Sequence, residues 1–300
     1  MNTNPTHISV CVCTYQRPVW LKRLLTDLGR LNTQGLFAYS VVVADNDEKE
    51  SGRQVVEKAR ADYPVEIIYC VQPARSISLV RNMAIAQSKG DAVAFIDDDE
   101  FPEPEWLLNL YRALASHQVA GVLGPVKPHF EAGAPAWVQR GGFYDRPEHR
   151  TGFVMPWEEG RTGNVLFDKR IVEKVDPIFR PEFGTGGGDV DFFRRMMEAG
   201  HKFIWCNEAV VHEYVPPKRW NRRVLLKRAL LRGRNSYRHP KGRVANVAKA
   251  VIAVPIYAVS LPFLQVAGHH LFMRYLVKLC DHTGRLLAAA GIEPVHDREM

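Results

Sequence analysis

Residues 92–100 read AVAFIDDDE: an apolar run from Ala92 to Ile96 leads straight into Asp97, Asp98, Asp99 and Glu100. A strand that is apolar on both faces belongs in a parallel sheet covered by helices on either side. Three adjacent aspartates repel one another, which is costly unless a cation is present. In open sheets of this kind ligands bind beyond the carboxyl ends of the strands, so the acidic run lies where a site is expected. If strand geometry persists through it, Asp97 and Asp99 face one side and Asp98 the other. Two carboxylates on one side, with a diphosphate as further ligand, make a hard-oxygen site suited to Mg2+ or Mn2+. The plainer reading is a solvated acidic turn capping a helix that starts near Pro104.

The rest of the first 125 residues supports the sheet. Apolar strand-like runs at Ile8–Cys13, Ser40–Ala44, Val65–Cys70 and Val119–Leu123 alternate with helical patterns. The first helix opens at Pro18 and places Leu21, Leu24, Leu25 and Leu28 on one face. Further helices are expected from about Gly52 to Arg60, from Ser76 to Ser88 and after Pro104. The second strand also ends in acid, at Asp45-Asn46-Asp47. Between Pro125 and Arg161 the period breaks into glycine, proline and aromatics, as in a long ordered loop lining a site. A helix is expected again over Asp189–Ala199, followed by a pair of short strands through His212.

At 300 residues, with 46% hydrophobic and 24% charged, the chain can bury a full core and is not a disordered sequence. Its net charge of +7 is concentrated: Lys218 to Lys249 holds twelve Lys and Arg and no acid, leaving 28 basic against 33 acidic residues elsewhere. Such a segment suits an anionic membrane surface, a nucleic acid or a phosphorylated substrate. The five cysteines are odd in number and mostly embedded in apolar runs, as buried thiols of a reducing compartment are. Met1 to His7 has no signal-peptide character, and the expected location is cytoplasmic.

Four segments in order carry a resemblance: ISVCVCTYQRP (8–18), VVVADND (41–47), ISLVRNMAIAQSKGDAVAFIDDD (77–99) and GGGDVDFFRRMMEAG (186–200). Together they resemble family 2 glycosyltransferases, with the look of bacterial exopolysaccharide β-glucosyltransferases of the succinoglycan type. The resemblance implies an α/β GT-A fold, a mostly parallel central sheet with helices on both faces, and a C-terminal helical segment. It also implies inverting transfer of a hexose from a UDP-sugar with Mn2+ or Mg2+. Thr14, Tyr15 and Arg17 then lie where the family cradles the nucleotide, and Asp45 where it contacts the base. Arg81 and Asn82 match an Ala-Arg-Asn element near the nucleotide, with Val80 in place of the Ala. Asp97 and Asp99 match the ends of the Asp-x-Asp motif, Asp97 toward ribose and metal and Asp99 as direct ligand, with Asp98 counted among the donor-site residues.

Direct displacement needs a base on the acceptor side. Asp189 matches it, although Gly188 stands where the family usually has Glu; Asp191 is the fallback, and a plain helix cap is the structural alternative for Asp189. Gly163 and Asn164, with Gly187 and Gly188, fall where acceptor-side elements are found, and His212 resembles a late histidine that can complete the metal site. The expected organisation is a catalytic domain over 1–217, its donor half 1–125 and acceptor half 126–217, then a membrane-associating segment over 218–300. Residues 250–267 carry no charge but contain Pro255 and Pro262, which interrupt a span and favour an interfacial or re-entrant helix at the cytoplasmic face of the inner membrane. A lipid-linked oligosaccharide is the acceptor this suggests. A sugar nucleotidyltransferase fits less well, because Thr14-Tyr-Gln-Arg-Pro18 replaces the glycine-rich loop such enzymes carry. No nucleic-acid-binding motif is present, and the missing Glu before Asp189 leaves an inactive transferase-like scaffold as the other alternative.

Overall fold

The computed structural model describes residues 6–184, 186–238 and 242–292, so Thr185 of the glycine run and Lys241 of the basic segment lie outside the described residues. The chain divides into two compact units. One comprises residues up to Lys127 together with Arg146–Glu213; the other comprises Pro128–Asp145 and the described residues from Tyr214 onward.

In the first unit, β1 (His7–Thr14), α1 (Pro18–Leu28), β2 (Ala38–Asp45), α2 (Arg53–Arg60), β3 (Ile67–Val71), α3 (Ile77–Gln87) and β4 (Ala92–Asp97) alternate as expected. Then come β5 (Glu100–Pro102), α4 (Trp106–His117) and β6 (Gly121–Leu123). Two short elements, β7 (Val126–Phe130) and α5 (Ala136–Gly141), lie inside the stretch that reads as loop. Their few residues, rich in Pro and Gly, leave no period to detect. After them follow β8 (Asn164–Asp168), α6 (Gly188–Glu198), β9 (Phe203–Trp205) and β10 (Val211–Val215).

The main sheet has the order β3-β2-β1-β4-β8-β6-β9. β3, β2, β1 and β4 are parallel, as are β6 and β9, while β8 runs antiparallel to both β4 and β6. This reversed strand is absent from the sequence reading, since five residues (NVLFD) are too few to give a periodic signal. β5 and β10 pair antiparallel in a smaller sheet.

Strand alternation explains the two cores. Val10, Val12, Val41, Val43, Ala94 and Ile96 pack on one face with Leu21, Leu24 and Leu28 of α1 and Trp106, Leu107 and Leu110 of α4. Cys11, Val42, Ala44, Val93 and Phe95 pack on the other with Val80 and Ala84 of α3 and Phe192, Phe193 and Met196 of α6. Each fully buried large apolar side chain contributes about 1.5–3 kcal/mol by its removal from water. The interior is therefore rigid enough to hold the strand ends in register.

The second unit contains α5, α7 (Arg222–Arg238), α8 (Arg243–Ala267) and α9 (His269–Ala289). A Cβ at Gly233 of α7 would overlap the Asp281 carbonyl of α9, and one at Gly284 the Leu230 carbonyl, so these two helices touch backbone to backbone. Pro255 and Pro262 do not break α8, which runs through both. Both lie on its exposed side, seven residues apart, so neither ring meets the packed face. Part of the basic segment is absorbed within the unit: Arg222 lies over Trp137, Arg228 over Tyr144, Arg232 pairs with Asp281 and Arg234 is buried.

Candidate active site

The carboxyl ends of β1, β2 and β4 meet side by side, with Thr14 opposite Asp45 and Cys13 opposite Asp97. Strand geometry does not persist past Asp97: Asp98 and Asp99 form the turn between β4 and β5, closed by the Asp97 N–H donating to Glu100 Oε2 at 2.9 Å. The expected alternation is therefore replaced by a turn. Asp98 points back at the β1 loop, accepting the Thr14 hydroxyl at 2.9 Å and Arg17 Nη1 at 2.7 Å. Arg17 also reaches Asp99 Oδ2 at 3.2 Å. Asp98 thus ties the turn to the loop that carries Thr14, Tyr15 and Arg17. Burial pushes its pKa up to about 6 against the pull of Arg17.

Asp45 is fully buried, and both its oxygens are occupied. Oδ1 accepts the Asp47 N–H at 3.0 Å, and Oδ2 accepts the Gly52 N–H at 2.7 Å and the Tyr69 hydroxyl at 2.8 Å. It shapes the wall after β2 rather than presenting a free oxygen. Its neighbour Asn46 binds the Gln72 and Ala74 carbonyls and the Ser76 N–H, joining β2 to the start of α3. Tyr69 and Ser76 lie outside the four motif segments, and Asn46, inside the second, has a role that sequence reasoning misses.

Arg81 is buried on α3, stacked over Phe179, and its charge is the strongest opposing the rise in Asp97. Asn82 does something else: its amide exchanges two hydrogen bonds of 2.8 Å with the Phe179 backbone, pinning that loop to α3. Asn164 is likewise a buried hub, accepting Trp106 Nε1 at 2.8 Å and donating to the Pro125 and Ala209 carbonyls. Gly163 does face the acidic turn. A Cβ there would stand 2.7 Å from Glu100 Oε1 and 3.3 Å from Asp97 Oδ2.

Gly187 caps α6 at φ 90°, a left-handed conformation that suits glycine, and Gly188 packs on Ser78 and Phe183. The helix cap is thus Gly187, and Asp189 lies inside the first turn, partly exposed, its Oδ1 accepting the Val190 N–H. Asp191 is 1% exposed and held by Arg194 at 2.9 Å and Arg195 at 2.8 Å. Burial works to raise its pKa, but those hydrogen bonds and the charges of Arg195 and Arg180 outweigh it and leave it lowered. A carboxylate so clamped is a poor proton acceptor.

His212 stacks on Phe101 across the β5–β10 pair and lies 3.3 Å from Glu103. Among the described residues no three His, Cys, Asp or Glu side chains converge as a metal site. The donor set at the turn nevertheless suits a divalent cation. Burial raises the pKa of both Asp97 and Glu100, with neighbouring carboxylates adding to the effect, and Glu100 Oε1 is buried without a partner. Arg17, Arg81 and Arg146 are among the positive charges that act on this group of carboxylates. Asp97 and Asp99 are the residues that could hold the ion. The cysteines are free thiols, and burial pushes Cys13 up to about 12, too high to act as a thiolate.

The model of "Glycosyl transferase family 2" matches residues 9–171. Succinoglycan biosynthesis protein ExoM of Rhizobium meliloti (strain 1021) is 37% identical over 237 residues, 78% of this chain and 75% of that protein. The chain belongs to glycosyltransferase family 2. Mannosyltransferase PcManGT from Pyrobaculum calidifontis, solved with GDP-Man and Mn2+, superposes with a TM-score of 0.65 at 17% identity, covering 96% of this chain and 87% of that one. S. aureus TarS 1-349 in complex with UDP gives 0.54 at 15% identity, covering 97% and 94%. The architecture is that of the GT-A glycosyltransferases, with a mixed sheet, helices on both faces and C-terminal helices.

In this family-2 chain two residues that no motif marks, one acidic and one basic, join the turn from afar. Glu213 of β10 lies opposite Glu100, and Arg146 donates to Glu213 Oε2 at 2.6 Å. Only the return of β10 beside β5 reveals them.

Proposed function

We propose that this chain is an inverting hexosyltransferase. It takes a hexose from a UDP-sugar at the Asp97–Asp99 turn and passes it to a lipid-linked saccharide in polysaccharide synthesis. The observation that carries the reading is the acidic turn itself. It gathers Asp97, Asp98, Asp99 and Glu100, is tied to the β1 loop through Asp98, and is left open by the missing side chain of Gly163. Asp97 and Asp99 would hold a divalent cation, which would neutralise the diphosphate as negative charge builds on it.

The chain's own residues do the rest. Thr14, Tyr15, Arg17 and the wall held by Asp45 receive the nucleotide, and Arg81 adds positive charge beside Asp97. The acceptor oxygen attacks the anomeric carbon from the side opposite the leaving group. The bond from that carbon to the diphosphate oxygen breaks with its electrons, and the hydroxyl proton passes to the Asp189 carboxylate. Asp189 is preferred over Asp191 because Asp191 is enclosed by arginines. A uridine donor is supported by the UDP complex of the staphylococcal neighbour; the GDP-Man of the archaeal one means that the fold alone does not dictate the base.

Membrane association is supported by α8, which among the described residues is the helix long and apolar enough to cross a membrane. Ile252, Ile256, Val259, Phe263 and Val266 recur at spacings of four and three along its exposed face. Exposed Lys218, Arg223 and Lys249 remain to meet anionic lipid at the cytoplasmic face. The test is calorimetry with a panel of UDP- and GDP-sugars, each with Mn2+ and with chelator. Binding of one UDP-sugar that vanishes with chelator is expected; folded protein that binds none of them, or binds equally well with chelator, removes the metal-assisted donor site.

A further inference from the structure

We infer that Arg146 is a positioning residue for the acidic turn, acting through Glu213; its bearing on catalysis rests on the donor-site reading above. β5 and β10 pair with Glu100 directly opposite Glu213, and both side chains are nearly buried, the residues being 2% and 8% exposed. Like charges facing one another across strands repel, and burial removes the water that screens them. Arg146 brings positive charge to this pair through its contact with Glu213. Its Nη2 donates to Glu213 Oε2 at 2.6 Å, and its charge acts on Glu100, Asp97 and Asp99 as well.

Glu100 Oε2 in turn accepts the Asp97 N–H at 2.9 Å, which closes the turn bearing Asp98 and Asp99. The link therefore runs from Arg146 to Glu213 by a hydrogen bond, across the β5–β10 ladder to Glu100, and from Glu100 to the Asp97 N–H. β5 has three residues, so its ladder is too short to hold the turn if Glu100 and Glu213 push apart. On this account Arg146 need not touch the substrate. It keeps the two glutamates together, and the paired strands keep the aspartates aimed.

The test compares Arg146→Ala, Arg146→Lys, Glu213→Gln and the double variant Arg146→Ala/Glu213→Gln with the parent chain. Thermal midpoint is measured for each, along with UDP binding by calorimetry in the presence of Mn2+ and of EDTA. Arg146→Ala is expected to weaken Mn2+-dependent UDP binding at least about tenfold and to lower the midpoint by several degrees. Arg146→Lys should retain part of both. The double variant should recover most of the loss, because a neutral glutamine opposite Glu100 removes the repulsion Arg146 normally masks. A folded double variant as weak as Arg146→Ala overturns the inference, since Arg146 would then act by meeting the ligand itself. Parent-like binding and midpoint in Arg146→Ala overturn it as well. If Arg146→Ala does not fold, recovery of folding in the double variant supports the pairing and its failure refutes it. If the parent binds no UDP, the donor reading fails separately, and the loss and recovery of thermal midpoint alone decide the positioning role.

Discussion

The acidic turn after β4 and the start of α6 both bury aspartates, yet the two regions treat them in opposite ways. Asp191 of α6 lies among Arg180, Arg194 and Arg195, and its pKa is lowered despite burial. At the turn, Asp97 and Glu100 are raised by burial, their neighbouring carboxylates add to the rise, and Asp98 reaches about 6 even beside Arg17. A buried carboxylate with surplus positive charge around it is part of the scaffold. A cluster of carboxylates whose pKa values burial raises is placed to take positive charge from a ligand. Asp189, two residues before Asp191, shares its helix but not its arginines.

The contrast is tested most severely by Asp99→Ala, which should reduce sugar transfer about a thousandfold or more while the thermal midpoint stays within a few degrees of the parent. Turnover and midpoint measured on the same preparation decide it; retained transfer would erase the distinction between the two regions. Asp189→Asn should lower transfer about a hundredfold to a thousandfold and leave UDP binding intact, and parent-like turnover would take Asp189 out of the reaction.

Asp191→Ala should behave the other way, costing about 3 kcal/mol in urea unfolding by taking from Arg194 and Arg195 the buried carboxylate they share. The sign with pH follows from its lowered pKa. The unfolded chain takes up this proton first as pH falls below the ordinary 3.8, so the contribution is whole above that value and lost beneath it. Asp191→Asn should therefore flatten the acid limb of the stability curve below about pH 4; an unchanged limb would mean that Asp191 is not the ionised anchor described. The smallest effect is expected from Gly163→Ala, about 1–2 kcal/mol of stability with a larger fall in turnover than in midpoint. The added Cβ presses on Glu100 and Asp97, 2.7 and 3.3 Å away, rather than on the apolar core. Equal falls in both would make Gly163 a packing residue only.

Much of this was legible along the chain. Apolar runs buried on both faces and helical stripes such as Leu21, Leu24, Leu25 and Leu28 declare themselves by local period. The register of parallel strands then carries Thr14, Asp45 and Asp97 to one edge. β8 was hidden because a short strand inserted antiparallel has no local signature. The roles of Asn82 and Asn164 were hidden because their partners, Phe179, Trp106, Pro125 and Ala209, are distant in sequence. Asp189 and Asp191 look alike on paper; three guanidiniums converging on one of them separate the pair.

Sequence alone determined the alternating sheet, the family and the place of the acidic run, because hydrophobic period and motif order are properties of the chain read in one dimension. The partners of each carboxylate were decided only in three dimensions. Glu213 and Glu100 come together by strand pairing across more than a hundred residues, Arg146 reaches Glu213 from an irregular segment, and the charge a buried group experiences depends on what surrounds it in space.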